Sequence, residues 1–201
     1  MKKIPGASLH ILFGLLFLTA CSSASETALP AVTATPKPVA TAIALPTPSS
    51  PGDFFIWRDL QVTMLQSELT GDYINEYGSE RIPSAGTKFM WVRIQLKNVG
   101  QKEMNTPDTE HFSTLYAGAE FKSTYAHRKD YTDYTTLGSV LFPNQQVDAW
   151  LRFDVPASAG LKDLRFVFLP ESSEVGVLSS SPNYPYATDH PTYVWRCEVG
   201  N

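Results

Sequence analysis

The chain is poor in cysteine, histidine and charge, and each shortage excludes something. Two cysteines, Cys21 and Cys197, stand among 201 residues. With Cys21 at the end of a leader, Cys197 has no intramolecular partner, so no disulfide framework is available and the core must hold the fold unaided. The four histidines, His10, His111, His127 and His190, are scattered without the His-x-x-x-His or Glu-paired spacing of a metal site. No Gly-rich phosphate loop occurs, and Gly138-Ser139 and Ser179-Ser180-Ser181 lack the Gly-x-Ser-x-Gly setting of a serine nucleophile. Asp130 and Asp133, with Glu120 upstream, do not form the dense oxygen-ligand loop of a calcium site. The expectation is a protein without catalytic machinery, cofactor or metal. Charged residues are 18% of the chain and its formal net charge is −4. Leaving aside Lys2, Lys3, Lys37 and Glu26 places −6 on residues 52–201, which argues against nucleic acid as a partner, because phosphate binding needs a basic surface.

The leader itself is well formed. Met1-Lys2-Lys3 is a positive start, and Leu9 to Leu18 is mostly apolar but too short to cross roughly 30 Å of hydrocarbon as a helix. It ends in Leu18-Thr19-Ala20-Cys21, which resembles a bacterial lipobox. That resemblance implies a lipoprotein signal peptide over residues 1–20, cleavage before Cys21 and acylation of its thiol. Two or three acyl chains hold a protein to a bilayer where one gives only marginal binding. The expected location is therefore extracytoplasmic, lipid-anchored to the bacterial cell membrane. Residues 21–51 are then dominated by Ala, Thr, Pro and Ser, with six prolines at Pro30, Pro36, Pro38, Pro46, Pro48 and Pro51. Such a segment buries too little apolar surface to offset its ordering entropy and reads as an extended, disordered linker.

Residues 52–201 have the size of one domain, and no window in them sustains a helical period. Period two is everywhere. Phe54 to Leu65 reads as one half-buried strand; Leu69 to Ala85 is a long loop or a poorly paired excursion. In Lys88 to Lys97, Met90, Val92, Ile94 and Leu96 face one way and Arg93, Gln95 and Lys97 the other. Phe112 to Tyr116 turns through Ala117-Gly118-Ala119-Glu120 into Phe121, and Val147 to Val155 alternates with apolar odd positions and only Trp150 out of pattern. Leu164 to Pro170 and Tyr193 to Val199 complete six or seven short strands, which argue an antiparallel sandwich. In the last strand Cys197 shares a face with Tyr193, Trp195 and Val199. It is either a packed small hydrophobe or the donor of an intermolecular disulfide.

Gly86-Thr87-Lys88-Phe89 with Lys97-Asn98-Val99-Gly100, followed by Leu141-Phe142-Pro143-Asn144-Gln145-Gln146-Val147 and Phe153-Asp154-Val155-Pro156, resembles a bacterial family of unknown function with a telokin-like immunoglobulin fold. The likeness spans Phe54 to Leu169; Asn144 and Gln145 stand where that family usually has Gly and Glu. It implies an all-β, immunoglobulin-like antiparallel β-sandwich behind the signal peptide and linker, and carries over no catalytic residue.

The candidate binding surface is aromatic: Tyr125, Tyr131 and Tyr134 in a charged loop, Trp150 on the outward face of its strand, and Tyr184 and Tyr186 near the end. Such side chains give contact area at low entropy cost and stack on sugar rings or fill partner pockets. The competing expectation is that Trp150 and some tyrosines pack beneath the long loops as satellite core. Beyond the bilayer held through acylated Cys21, three readings follow: a surface lipoprotein whose domain binds an envelope or secreted protein, a glycan- or cell-wall-binding module using the loop aromatics, and an enzyme using His127 with Asp130 or Asp133.

Overall fold

The computed structural model describes residues 46–171 and 191–198; Cys21, the expected leader, most of the expected linker, Tyr184 and Tyr186 lie outside them. Among the described residues the regular structure is all strand apart from three single 3-10 turns. The principal strands are β1 (Phe54–Trp57), β2 (Leu60–Thr70), β5 (Thr87–Asn98), β7 (Phe112–Tyr116), β8 (Ala119–Thr124), β10 (Gln146–Pro156), β11 (Arg165–Phe168) and β12 (Tyr193–Arg196). They form one antiparallel sheet in the order β1-β2-β5-β10-β8-β7-β11-β12. The short pairs β3 (Tyr73–Ile74) with β4 (Glu80–Arg81), and β6 (Met104–Asn105) with β9 (Val140–Leu141), stand apart from it.

The sheet makes a sandwich because β10 holds β8 at only two positions, Arg152↔Thr124 and Phe153↔Ser123. That corner lets the two halves fold over a shared core. Val62, Met90, Val92, Ile94, Leu151 and Phe153 from one half meet Phe112, Phe166, Phe168 and Trp195 from the other. Period-two alternation is what puts each of these side chains on the inner face. The far ends of the sheet also meet: Phe55 packs edge-on to Trp195 with ring centroids 4.9 Å apart. Ser49 accepts from Arg196 N at 2.8 Å and donates to Val194 O at 2.9 Å before the chain crosses into β1, so the end of the segment expected as linker already belongs to the folded body. Cys197 is 2% exposed within this core, packed as a small hydrophobe; burial pushes its thiol up to about 12.

The start of the sheet differs from sequence expectation. Phe54 to Leu65 is not one strand but a hairpin, with Trp57↔Leu60 the last pair before an Arg58-Asp59 turn. Arg58 takes φ 54° there, without the Gly or Asn that ordinarily announces such a turn. Leu69 and Thr70 still belong to β2, paired with Met90 and Phe89; the expected excursion begins after them and contains the β3–β4 hairpin. The Ala117-Gly118 turn does have both residues at positive φ, 49° and 81°, as a two-residue type I′ hairpin requires.

The segments that carry the family resemblance meet in space. Asn98, fully buried, donates through Nδ2 to Lys102 O at 2.7 Å and Leu141 O at 2.9 Å and accepts from Gly100 N at 2.9 Å. Its backbone pairs with Asn144 and Gln145. A Cβ on Gly100 would lie 2.6 Å from Asp59 Cγ, so the Asn-Val-Gly turn is required by packing. These motifs are a structural clasp.

Candidate functional site

The outer face of the β2-β5-β10 layer is where the strand pattern breaks. Phe89, Trp91 and Trp150 occupy outward positions that alternation assigns to polar residues, and Phe89 and Trp91 are nevertheless buried, with Tyr73 and Ala126, in a second apolar cluster. Two excursions cover them. Asn75 of the β3–β4 hairpin bridges Arg128 of the later loop, and Lys129 N donates to Ile74 O at 3.1 Å. The Leu69–Ala85 and His127–Gly138 segments thus converge, on the face of the sheet rather than at its end.

The junction is locked by charge and ring stacking. Glu68 of β2 accepts from Arg128 and, at 2.6 Å, from the Tyr131 hydroxyl. Arg128 lies 4.1 Å over the Tyr131 ring. Tyr131 stacks on Trp150 with centroids 3.9 Å apart and planes at 9°. Trp150 N donates to Thr132 O at 2.8 Å, so the loop extends the β10 edge beyond the short β8 pairing. Burial, with the Glu68 hydrogen bond and charge, pushes the Tyr131 hydroxyl up to about 12.

Beside this lock lies a cleft of about 430 Å³ between the β3–β4 hairpin and Tyr125–His127. Its floor is Phe89 with Arg152, whose guanidinium sits 5.0 Å over that ring. Arg152 donates to Thr124 Oγ1 at 2.9 Å and Tyr73 Oη at 3.0 Å and faces Asp154 at 3.6 Å. Its rim is Tyr77, Ile82 and Tyr125, 82%, 74% and 67% exposed. Glu76 bonds the Tyr77 hydroxyl and raises it above its ordinary value.

The four candidate aromatics therefore have different fates. Tyr125 is exposed on the cleft rim. Tyr131 and Trp150 come together and are coplanar, but by stacking on one another, so each has one face covered; the satellite-core expectation describes them better than an open platform. Tyr134 corrects the expected surface: it is 4% exposed, edge-on to Phe112 at 5.4 Å, and donates to Pro107 O at 2.7 Å. The reason is local. Asp133 accepts from Thr135 N at 2.7 Å and caps a 3-10 turn over Tyr134–Thr136 that drops Tyr134 into the core, where burial raises its hydroxyl far above the ordinary value. Among the described residues His127 meets the Tyr125 hydroxyl and has no bond to Asp130 or Asp133, while Glu120 pairs with Lys122.

Sequence reading missed Tyr77, Ile82, Arg152 and Asp154. A signal existed for the first two, apolar bulk inside a polar, turn-rich stretch. Arg152 and Asp154 look like ordinary outward strand residues until the hairpin is placed over them.

No protein-family model matches the chain, and no curated protein matches it. Solved structures similar to it are bacterial proteins without an established function. The yjhA protein of Bacillus subtilis is 14% identical with TM-score 0.49, covering 74% of this chain and 98% of its own. An uncharacterised β-sandwich protein of Clostridium difficile is 15% identical with TM-score 0.47, over 77% and 97% of the two chains. A lipoprotein candidate of Bacillus subtilis, ycdA, is 16% identical with TM-score 0.46, and the 74% of this chain that aligns spans 39% of that one. No residue's role passes from these proteins to this chain.

Proposed function

We propose that the protein is a lipid-anchored, extracytoplasmic lipoprotein that presents a non-catalytic, immunoglobulin-like binding domain, and that the cleft between its two converging loops is the binding site. The observation that carries this reading is the cleft's construction. The sheet supports the β3–β4 hairpin and the Tyr125–His127 segment, which leave Tyr77, Ile82 and Tyr125 exposed around the cleft. Loops on a rigid scaffold are where folds of this kind place recognition, and exposed aromatics around partly enclosed polar groups are the composition of a binding surface. The anchor rests on the lipobox-like Leu18-Thr19-Ala20-Cys21. The absence of catalysis rests on the lack of a nucleophile or acid-base setting in the sequence and on the engagement of Asp133 and His127 with other partners.

The test uses the full-length chain, immobilised in mild detergent and exposed to solubilised envelope material, with captured protein and captured sugar both measured. Tyr77→Ala and Tyr125→Ala are expected to lower capture at least several-fold. Capture identical to the parent's in both variants would contradict the cleft assignment. Separately, Cys21→Ala is expected to leave the membrane fraction, and a variant still wholly membrane-bound would contradict the anchor.

A further inference from the structure

The cleft is mixed in charge and in hydrogen-bonding character. Arg152 and Asp154 face it as a pair 3.6 Å apart, and Glu76 and Arg81 add one charge of each sign. An anionic ligand entering here would be set against Glu76 and Asp154, and a cationic one against Arg81 and Arg152, in a site where water is partly displaced and such repulsion is costly. A neutral ligand meets neither penalty.

The polar groups also have unused capacity of both kinds. Among the described residues the Arg81 guanidinium, the Ser84 hydroxyl and His127 Nδ1 make no hydrogen bond, and the exposed side of the Asp154 carboxylate, Oδ2, has only the 3.6 Å contact to Arg152. Donors and acceptors are thus interspersed, as a ligand rich in hydroxyls requires, since each hydroxyl gives one hydrogen bond and accepts others. Above them Tyr77 and Tyr125 hold their rings in solvent, apolar faces of the kind that cover the C–H face of a sugar ring. The cleft volume of about 430 Å³ falls within the span of small-ligand sites, roughly 300–1,000 Å³. We infer that the cleft between the β3–β4 hairpin and Tyr125–His127 binds a short neutral saccharide, its rings against Tyr77 and Tyr125 and its hydroxyls on Arg81, Ser84 and Asp154.

This inference rests on the cleft being the binding site, and the experiment separates the two. The full-length chain in mild detergent is applied to an immobilised panel of neutral gluco-, galacto-, manno- and N-acetylglucosamine oligomers. Retention on at least one of them is expected, weakened at least ten-fold by Tyr77→Ala, Tyr125→Ala and Arg81→Ala. The control Phe142→Ala, at an exposed residue away from the cleft, is expected to leave it unchanged. No retention on any member, or retention that the three cleft substitutions leave intact, overturns the saccharide assignment. If no panel member is retained but chemical cross-linking to envelope protein is lost in the same variants, the cleft remains a binding site and its ligand is a polypeptide. If neither retention nor cross-linking depends on the cleft, the underlying reading falls as well.

Discussion

The two faces of strand β5 were built by the same alternation and have opposite consequences. Inward, Met90, Val92, Ile94 and Leu96 enter one continuous core shared by both halves of the sandwich. Outward, Phe89 and Trp91 break the polar series and create a second cluster that only the two excursions can cover. The inner face is closed by the facing half of the sandwich, with Tyr134, Ala159 and Leu164 filling in from turns, whereas the outer one exists because Asn75 and Arg128 meet across it. A hydrophobic residue on the wrong parity of an otherwise regular strand therefore marks where another segment docks, and here the docked segments enclose the cleft.

That contrast can be broken first on the inner side. Phe166 is fully buried, stacked on Phe112 at 5.8 Å and 5.6 Å from Trp195. Phe166→Ala is expected to cost about 3–5 kcal/mol, with loss of all cooperative structure in a single transition, read as a large drop in denaturant midpoint.

Alkali should act on the same core more gently. The Cys197 thiol has an ordinary value of 9.0 and is pushed up to about 12 by burial. Between those values the unfolded chain has lost the proton and the folded one has kept it, so stability falls as pH rises through that window, by at most about 1.4 kcal/mol per pH unit for this group. Tyr134, raised by burial, acts with the same sign above 10.0. Below pH 9.0 the thiol contributes no pH dependence. Denaturant midpoints taken on either side of that value should differ, and Cys197→Ala should reduce the difference.

On the outer face a smaller and more local effect is expected. Glu68→Ala removes the acceptor shared by Arg128 and Tyr131 and should cost about 1–2 kcal/mol. Amide exchange at Lys129 and Trp150, whose N–H groups bond Ile74 and Thr132, should accelerate while amides of the β5–β10 ladder keep their protection. Uniform acceleration across both regions would mean that the two faces are one cooperative unit.

Much of this is legible in the amino-acid sequence. The inner face followed from period two, the hairpin at Ala117-Gly118 from its turn chemistry, and Trp150 showed itself as the residue out of step. What was not legible depended on distant contacts. Tyr131 and Tyr134 lie three positions apart in one charged loop, yet one is stacked on Trp150 and the other buried against Phe112. The Asp133 cap that separates them is not an alternation signal. The Arg58 turn places its positive φ on an arginine, which nothing in the sequence announces, and Arg152 and Asp154 gain meaning only from the hairpin laid over them.

The smallest structural effect carries the most weight. Tyr77 and Tyr125 are 82% and 67% exposed, so removing either ring should change stability by no more than about 0.5 kcal/mol. The account is tested most directly by measuring, on one preparation of Tyr77→Ala/Tyr125→Ala, both the denaturant midpoint and the capture of envelope material. An unchanged midpoint with capture lost is the expected result. Capture equal to the parent's at that same midpoint would contradict the claim that the outer face, through its cleft, is where this protein binds.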